Sequence, residues 1–140
     1  AGFMGELAQG YGIPRSRIYS HASGAAGDLA SPIQSTTCPS WSFYLGDAVN
    51  PQDTPQYKEY LPLSDAPNWA ISEWNFFNPS QEIWEQALRN CFSLPGCRFV
   101  NVYNYDSVFK VNRKGELTIQ EGPVNAIKAL QDGSLFTKTK

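Results

Sequence analysis

The sequence has little of the features that mark several common classes of protein. Its 11 Lys and Arg face 13 Asp and Glu, a net charge of −2, and the basic residues form no cluster. Nucleic-acid-binding domains usually carry a basic stripe, so we expect no nucleic-acid partner. No apolar run approaches the ~20 residues that a membrane helix needs, so we expect no membrane span.

Motifs for metal and cofactor chemistry are also missing. His21 is the single histidine, so this chain cannot complete a histidine-based metal site. The sequence contains neither a Gly-x-Ser-x-Gly nucleophile elbow nor a phosphate-binding glycine loop followed by Lys. A nucleophile pair of Cys38 and His21 does not match the papain-type pattern. We therefore predict no metal and no cofactor.

Cysteine is scarce, with three residues, and an odd number leaves one thiol free or paired outside the chain. Cys91 and Cys97 bracket five residues, and a bridge across them can form in an oxidising compartment. The alternative is two buried small apolar side chains, one on a helix and one opening a strand. The compartment stays undetermined, with a secreted or extracytoplasmic location as one alternative.

The residues that are present indicate a folded chain. Of 140 residues, 41% are apolar, 14% aromatic and only 17% charged, which argues against disorder. The length fits one domain. The chain starts at Ala1 without a charged segment and an apolar segment of the signal-peptide type, so we expect an internal start, in a processed or truncated chain.

Hydrophobic spacing predicts strands that alternate with helices. The first half contains a helix over 3–11, a strand over 17–21, and a long irregular stretch over 28–68 that is rich in proline and aromatic residues. The second half contains a strand over 69–74, a helix from the cap Asn78 to Phe92, a strand over 98–105, a hairpin near Lys114, and a helix from Pro123. This order predicts an α/β fold with parallel βα units, followed by a frayed tail over 135–140.

Glu73 is the most informative residue. It is expected at the carboxyl end of a strand, on the same face as Ile71, and chemistry in α/β folds is placed at that end. Trp74 and Asn75 follow it, and indole faces and amide groups are typical partners of sugars. The alternative is a structural Glu that forms an ion pair or a cap at the strand end.

A second group of polar and aromatic residues belongs to the strand over 98–105. Alternation places Phe99, Asn101, Tyr103 and Tyr105 on one face, as hydrogen-bonding aromatics around a mouth or as a buried network without a ligand. His21 is expected at the same edge of the sheet, where it is either structural or part of the site.

Three segments carry a resemblance to a known family. Residues 12–21, 71–75 and 99–105 (GIPRSRIYSH, ISEWN and FVNVYNY) resemble the sixth, seventh and eighth strands of a (β/α)8 glycoside hydrolase of the retaining clan-A type. The resemblance implies that residues 1–134 are the C-terminal part of a barrel. It also implies that Glu73 is the nucleophile and that the acid/base Glu lies in an N-terminal part outside these 140 residues.

The resemblance further implies a carbohydrate substrate. The substrate-binding residues would be His21, Trp74, Asn75, Asn101, Tyr103 and Tyr105. Three parallel strands leave two edges and one face uncovered, so we expect an N-terminal half-barrel or a second copy of the chain as partner. Two alternatives stay open: a non-catalytic carbohydrate-binding or pseudoenzyme barrel, and a structural α/β domain that pairs with another chain.

Overall fold

The structure, a computed structural model, describes residues 2–22, 37–44, 50–75, 78–102 and 107–137. This part of the chain is a mixed α/β fold with a four-stranded parallel sheet and a small antiparallel hairpin. The strands are β1 (Tyr19–Ala22), β2 (Cys38–Tyr44), β3 (Trp69–Asn75), β4 (Cys97–Val102), β5 (Phe109–Val111) and β6 (Leu117–Ile119). The helices are α1 (Gly2–Gly10), α2 (Gln81–Phe92), α3 (Glu121–Gln131) and α4 (Ser134–Thr137).

The parallel sheet follows the order of the chain. Its strands lie in the order β1-β2-β3-β4, and every neighbouring pair is parallel. Helix α2 connects β3 to β4, as the alternating pattern predicted. The predicted hairpin is confirmed, because β5 and β6 pair antiparallel on either side of Gly115, whose φ is +80°.

The prediction of an irregular stretch over 28–68 was wrong, because β2 lies within it. Trp41 and Phe43 alternate with Ser40 and Ser42, and this period of two places the aromatic rings in the core and the serines on the other face. Pro39, which lacks an N–H group, is the second residue of the strand. The rest of the described stretch contains short turns of 3₁₀ and π helix over 51–63. The sheet therefore has four strands, and not three.

The N-cap of α2 is Ser80, and not Asn78. The Ser80 hydroxyl accepts a hydrogen bond from the Ile83 backbone N–H at 3.4 Å, so the helix starts two residues later than predicted. Asn78 orders the segment before the helix. Its side-chain oxygen accepts from the Ser80 backbone N–H at 2.9 Å, and its carbonyl accepts from the Trp84 indole at 2.6 Å.

The core lies between the sheet and the helices and contains all four tryptophans. Trp41 stacks on Trp69, with ring centroids 5.0 Å apart, and Trp74 stacks on Trp84 of α2 at 6.0 Å. Helix α3 adds the buried side chains of Ala126 and Ala129, which are small enough for close packing on α2.

The end of the chain differs from the predicted tail. Leu135 is fully buried in α4, and its carbonyl accepts a hydrogen bond from Arg89 Nε at 2.9 Å. The described chain is therefore anchored to the core as far as α4. Residues 138–140, which belong to the predicted tail, lie outside the described residues.

Helix α1 confirms the predicted first helix, but the larger apolar side chains described on it, Met4 and Leu7, are exposed. Met4, Leu7, Tyr11 and the following Ile13 have exposed fractions of 62%, 41%, 80% and 44%. These four exposed side chains, on α1 and the segment that follows it, are called here the apolar surface of α1. None of the described helices has the length and apolar character to cross a membrane.

Candidate functional site

A bulge in β3 places Glu73 on the face of the sheet opposite the helices. The register pairs Ile71 with Trp41 but Glu73 with Ser42, so Ser72 is the extra residue. We expected Ile71 and Glu73 to share a face, and this was wrong. Ile71 is fully buried in the core, whereas Glu73 turns away from it with a quarter of its side chain exposed.

Side chains from β2 and β1, which lie on the same side of β3, hold the Glu73 carboxylate. The Ser42 hydroxyl of β2 donates to Oε2 at 2.9 Å. His21 of β1 places Nε2 3.5 Å from Oε1. Both oxygens therefore have a polar neighbour from another strand, which restricts the rotation of the carboxylate.

Ser72 connects this pair to the next strand. Its hydroxyl lies 2.5 Å from His21 Nδ1, and its carbonyl accepts a hydrogen bond from Asn101 Nδ2 at 3.1 Å. The Ser72 hydroxyl donates to Nδ1 when the imidazole is neutral with its proton on Nε2, and this tautomer points the N–H toward Glu73. One network therefore joins β1, β2, β3 and β4 on the exposed face of the sheet.

The predicted site residues occupy different positions. His21, Glu73 and Asn101 come together in this network, as their positions at strand ends implied. Trp74 lies elsewhere: it is fully buried and stacks on Trp84 in the core, because the residue after Glu73 faces the helices. Asn75 is the last residue of β3, and the structure describes its backbone but not its side chain. Tyr103 and Tyr105 also lie outside the described residues.

Two residues of the site were missed from the sequence. Ser42 belongs to the strand that the sequence analysis did not find, and the alternation of Ser40, Trp41, Ser42 and Phe43 was the signal for it. Ser72 lies in no Gly-x-Ser-x-Gly elbow, and the sequence predicted no role for it. Its role in orienting His21 depends on the bulge, and no pattern in the sequence predicts the bulge.

A second polar region lies near the amino ends of β1, β3 and β4, at the other end of the strands from Glu73. A cavity of about 540 Å³ is lined by Arg17, Tyr19, Asn68 and Arg98, among others. Asn68 is almost fully buried and accepts a hydrogen bond from Arg98 Nε at 2.6 Å. Burial raises the pKa of the Tyr19 hydroxyl, and the negative charge that Cys38 would carry adds to the effect.

The described residues contain no group of three or more His, Cys, Asp or Glu side chains that could hold a metal ion. The site around Glu73 is instead a carboxylate with hydroxyl, imidazole and amide neighbours. Such a set can bind hydroxyl groups of a ligand, and its carboxylate can act as a nucleophile or a base. Comparison of the chain with family models, curated proteins and solved structures found no match.

Proposed function

We propose that the chain is the C-terminal part of a (β/α)8 barrel of the retaining glycoside hydrolase type, with Glu73 as its nucleophile. The observation that carries this proposal is the position of the carboxylate at the carboxyl end of β3, oriented by Ser42 and His21 on the face opposite the helices. In barrels of this type, catalytic residues project from that end of the strands.

The topology supports the proposal at a coarser level. Four parallel strands in chain order, with a helical crossover between β3 and β4, are the arrangement of consecutive units in such a barrel. Strands β3 and β4 then remain the seventh and eighth strands. The unexpected β2 becomes the sixth strand, and β1 with His21 becomes the fifth.

In the proposed reaction, a Glu73 oxygen attacks the anomeric carbon of a sugar and the bond to the leaving oxygen breaks. A carboxylic acid from the preceding part of the barrel donates its proton to the leaving oxygen. Water, deprotonated by the same group, then releases the sugar from Glu73. The two carboxyl groups must lie about 5–5.5 Å apart for this double displacement.

His21 and Ser42 have positioning roles in this reaction. Their contacts hold Glu73 in one orientation before the sugar binds, which saves the entropy of fixing it during the reaction. Asn101 lies one strand further along and fixes the Ser72 carbonyl, so it supports the same network from the other side.

The apolar surface of α1 supports the proposal that another part of a barrel packs against this chain. Met4, Leu7, Tyr11 and Ile13 precede β1 in the chain, where the preceding unit of a barrel would pack. In the described part of the chain, no strand pairs with the outer edge of β1 or of β4. Both features are expected of a barrel portion that pairs with an N-terminal half-barrel.

The test is covalent labelling with 2-deoxy-2-fluoro glycosides that carry a dinitrophenolate leaving group. Such a leaving group departs without protonation, so labelling does not require the acid/base residue. We expect peptide mass spectrometry to find one glycosyl group on Glu73, and none after Glu73→Gln. The matched control is Glu82→Gln, which changes an exposed carboxylate in the first turn of α2 and should label like the wild type.

The outcomes separate the proposal from its two alternatives. Sugar binding by calorimetry that survives Glu73→Gln, without labelling of the wild type, supports a non-catalytic carbohydrate-binding barrel. Neither binding nor labelling across glucosyl, mannosyl, galactosyl and xylosyl reagents supports a structural α/β domain. A label on another residue that persists in Glu73→Gln overturns the assignment of the nucleophile.

A further inference from the structure

The thiols of Cys91 and Cys97 are in direct contact. Their sulfur atoms lie 2.8 Å apart, one near the end of α2 and the other at the start of β4. Cys91 is fully buried, whereas Cys97 is partly exposed. This contact lies on the helix side of the sheet, away from the Glu73 network.

The backbone between the two thiols is firmly held. The turn contains Gly96 with φ +82°, and a Cβ atom there would lie 3.1 Å from the Trp69 ring. The Trp69 indole donates to the Pro95 carbonyl at 2.8 Å, and the Trp69 backbone N–H donates to the Gly96 carbonyl at 2.9 Å. The turn therefore keeps Cys97 beside the end of α2, so bridging needs only a small displacement of the sulfurs.

We propose that Cys91 and Cys97 form a reversible disulfide by exchange with a small-molecule disulfide. The Cys97 thiolate attacks one sulfur of the reagent, which forms a mixed disulfide and releases one thiol. The Cys91 sulfur, after losing its proton to solvent, attacks the Cys97 sulfur and releases the second thiol. Two cysteine thiols are oxidised, and one reagent disulfide is reduced to two thiols.

The order of the two steps follows from burial. Cys97 is the accessible sulfur, so the reagent reaches it first. Cys91 acts second, because its sulfur is covered and hydrogen bonding to Cys97, together with burial, raises its pKa. Cys38, the third cysteine, is fully buried with its sulfur directed to the Arg15 carbonyl at 3.5 Å, so it serves as an internal control.

The first experiment uses the wild-type chain with a mixture of oxidised and reduced glutathione. After equilibration, exchange is stopped with acid, the chain is alkylated in denaturant at neutral pH, and its peptides are mapped by mass spectrometry. We expect two of the three thiols to escape alkylation and one peptide pair to be joined between Cys91 and Cys97. Reduction should restore all three thiols. Three alkylated thiols under every condition, or a bridge that involves Cys38, overturns the proposal.

The second experiment tests the order of attack. Cys91→Ser should accumulate a mixed disulfide on Cys97, with a mass increase of about 305 Da, because the resolving thiol is gone. Cys97→Ser should stay unmodified while folded, and Cys38→Ser should bridge like the wild type. A mixed disulfide on Cys91 in the folded Cys97→Ser variant contradicts the proposed order. The wild-type result does not depend on the folding of any variant or on sugar chemistry.

Discussion

At the scale of single residues, Tyr19 shows how partial burial of a titratable side chain makes the stability of the fold depend on pH. Its ring packs edge-on against Phe99, with centroids 4.9 Å apart, and burial raises the pKa of its hydroxyl above the ordinary 10.0. The folded chain therefore holds this proton more tightly than the unfolded chain. The resulting stabilisation is complete below pH 10 and is lost as the pH rises through the folded-state pKa.

Tyr19→Phe should remove this loss, because phenylalanine keeps the ring contact and has no proton to release. We expect the urea midpoint of the variant to fall less than that of the wild type between pH 7 and about pH 10.5. Tyr11→Phe is the matched control, since Tyr11 is 80% exposed and its hydroxyl is therefore in nearly the same environment in the folded and the unfolded chain. Equal falls for the wild type and Tyr19→Phe would contradict this explanation.

At the scale of elements, α3 approaches the start of α2 closely at Gly122. A Cβ atom at this position would lie 2.1 Å from the Pro79 carbonyl oxygen, which belongs to the backbone and cannot rotate away. Gly122→Ala should therefore destabilise the fold by about 1–3 kcal/mol, as overpacking does. The measurement is the free energy of unfolding in urea.

Gly10→Ala provides the matched control for this prediction. Gly10 also lies in a helix, but a Cβ atom there would meet nothing within 4 Å. Alanine favours the helix over glycine by about 0.5–1 kcal/mol, so Gly10→Ala should be neutral or slightly stabilising. A similar loss in both variants would show that helix propensity, and not the contact with Pro79, decides the result.

The elements also show what the sequence could predict. The helix α2 and strand β3 follow from strong periodicity and from residues with clear preferences, and they were predicted within two residues. Strand β2 was missed because Pro39 and four prolines later in the stretch are typical of loops, and this outweighed the short alternation of Ser40, Trp41, Ser42 and Phe43. Tertiary pairing with β1 and β3 stabilises β2 although its composition does not favour a strand.

Three residues of the candidate site were predicted from the sequence, whereas Ser42, Ser72 and the geometry of the site were not. Glu73 and His21 were predicted from their places at strand ends, and Asn101 was predicted from the alternation of side chains along its strand. The faces of Ile71 and Ser72 required knowledge of the bulge, which arises from the pairing of β3 with β2. A single inserted residue reverses the alternation of side chains beyond it, and local sequence preferences do not predict where such an insertion occurs.

At the scale of the whole molecule, we predict that the isolated chain self-associates. The sheet has two outer strands, β1 and β4, and α1 together with the segment that follows it presents four exposed apolar side chains. Sedimentation should give a species larger than the 15.6 kDa monomer or a concentration-dependent mixture. A monodisperse monomer would count heavily against the proposed half-barrel.

Leu7→Lys tests whether α1 contributes to this association. It introduces a charge into the apolar surface of α1 and should shift the equilibrium toward the monomer. Leu117→Lys is the control, because Leu117 is also an exposed leucine, at 64% against 41% for Leu7, but lies on the hairpin. Equal effects of both substitutions would indicate nonspecific hydrophobic association and not a surface on α1.

The stacked tryptophans should give the folded chain a circular dichroism signal that reports on the formation of its core. All four indoles occur in two near-parallel pairs, Trp41 with Trp69 and Trp74 with Trp84, at interplanar angles of 15° and 17°. Close, fixed indoles couple their electronic transitions and produce circular dichroism that isolated indoles lack. The first pair joins two strands and the second joins the sheet to α2, so substituting one partner of each pair would give two separate spectroscopic reporters, one for strand pairing and one for helix docking.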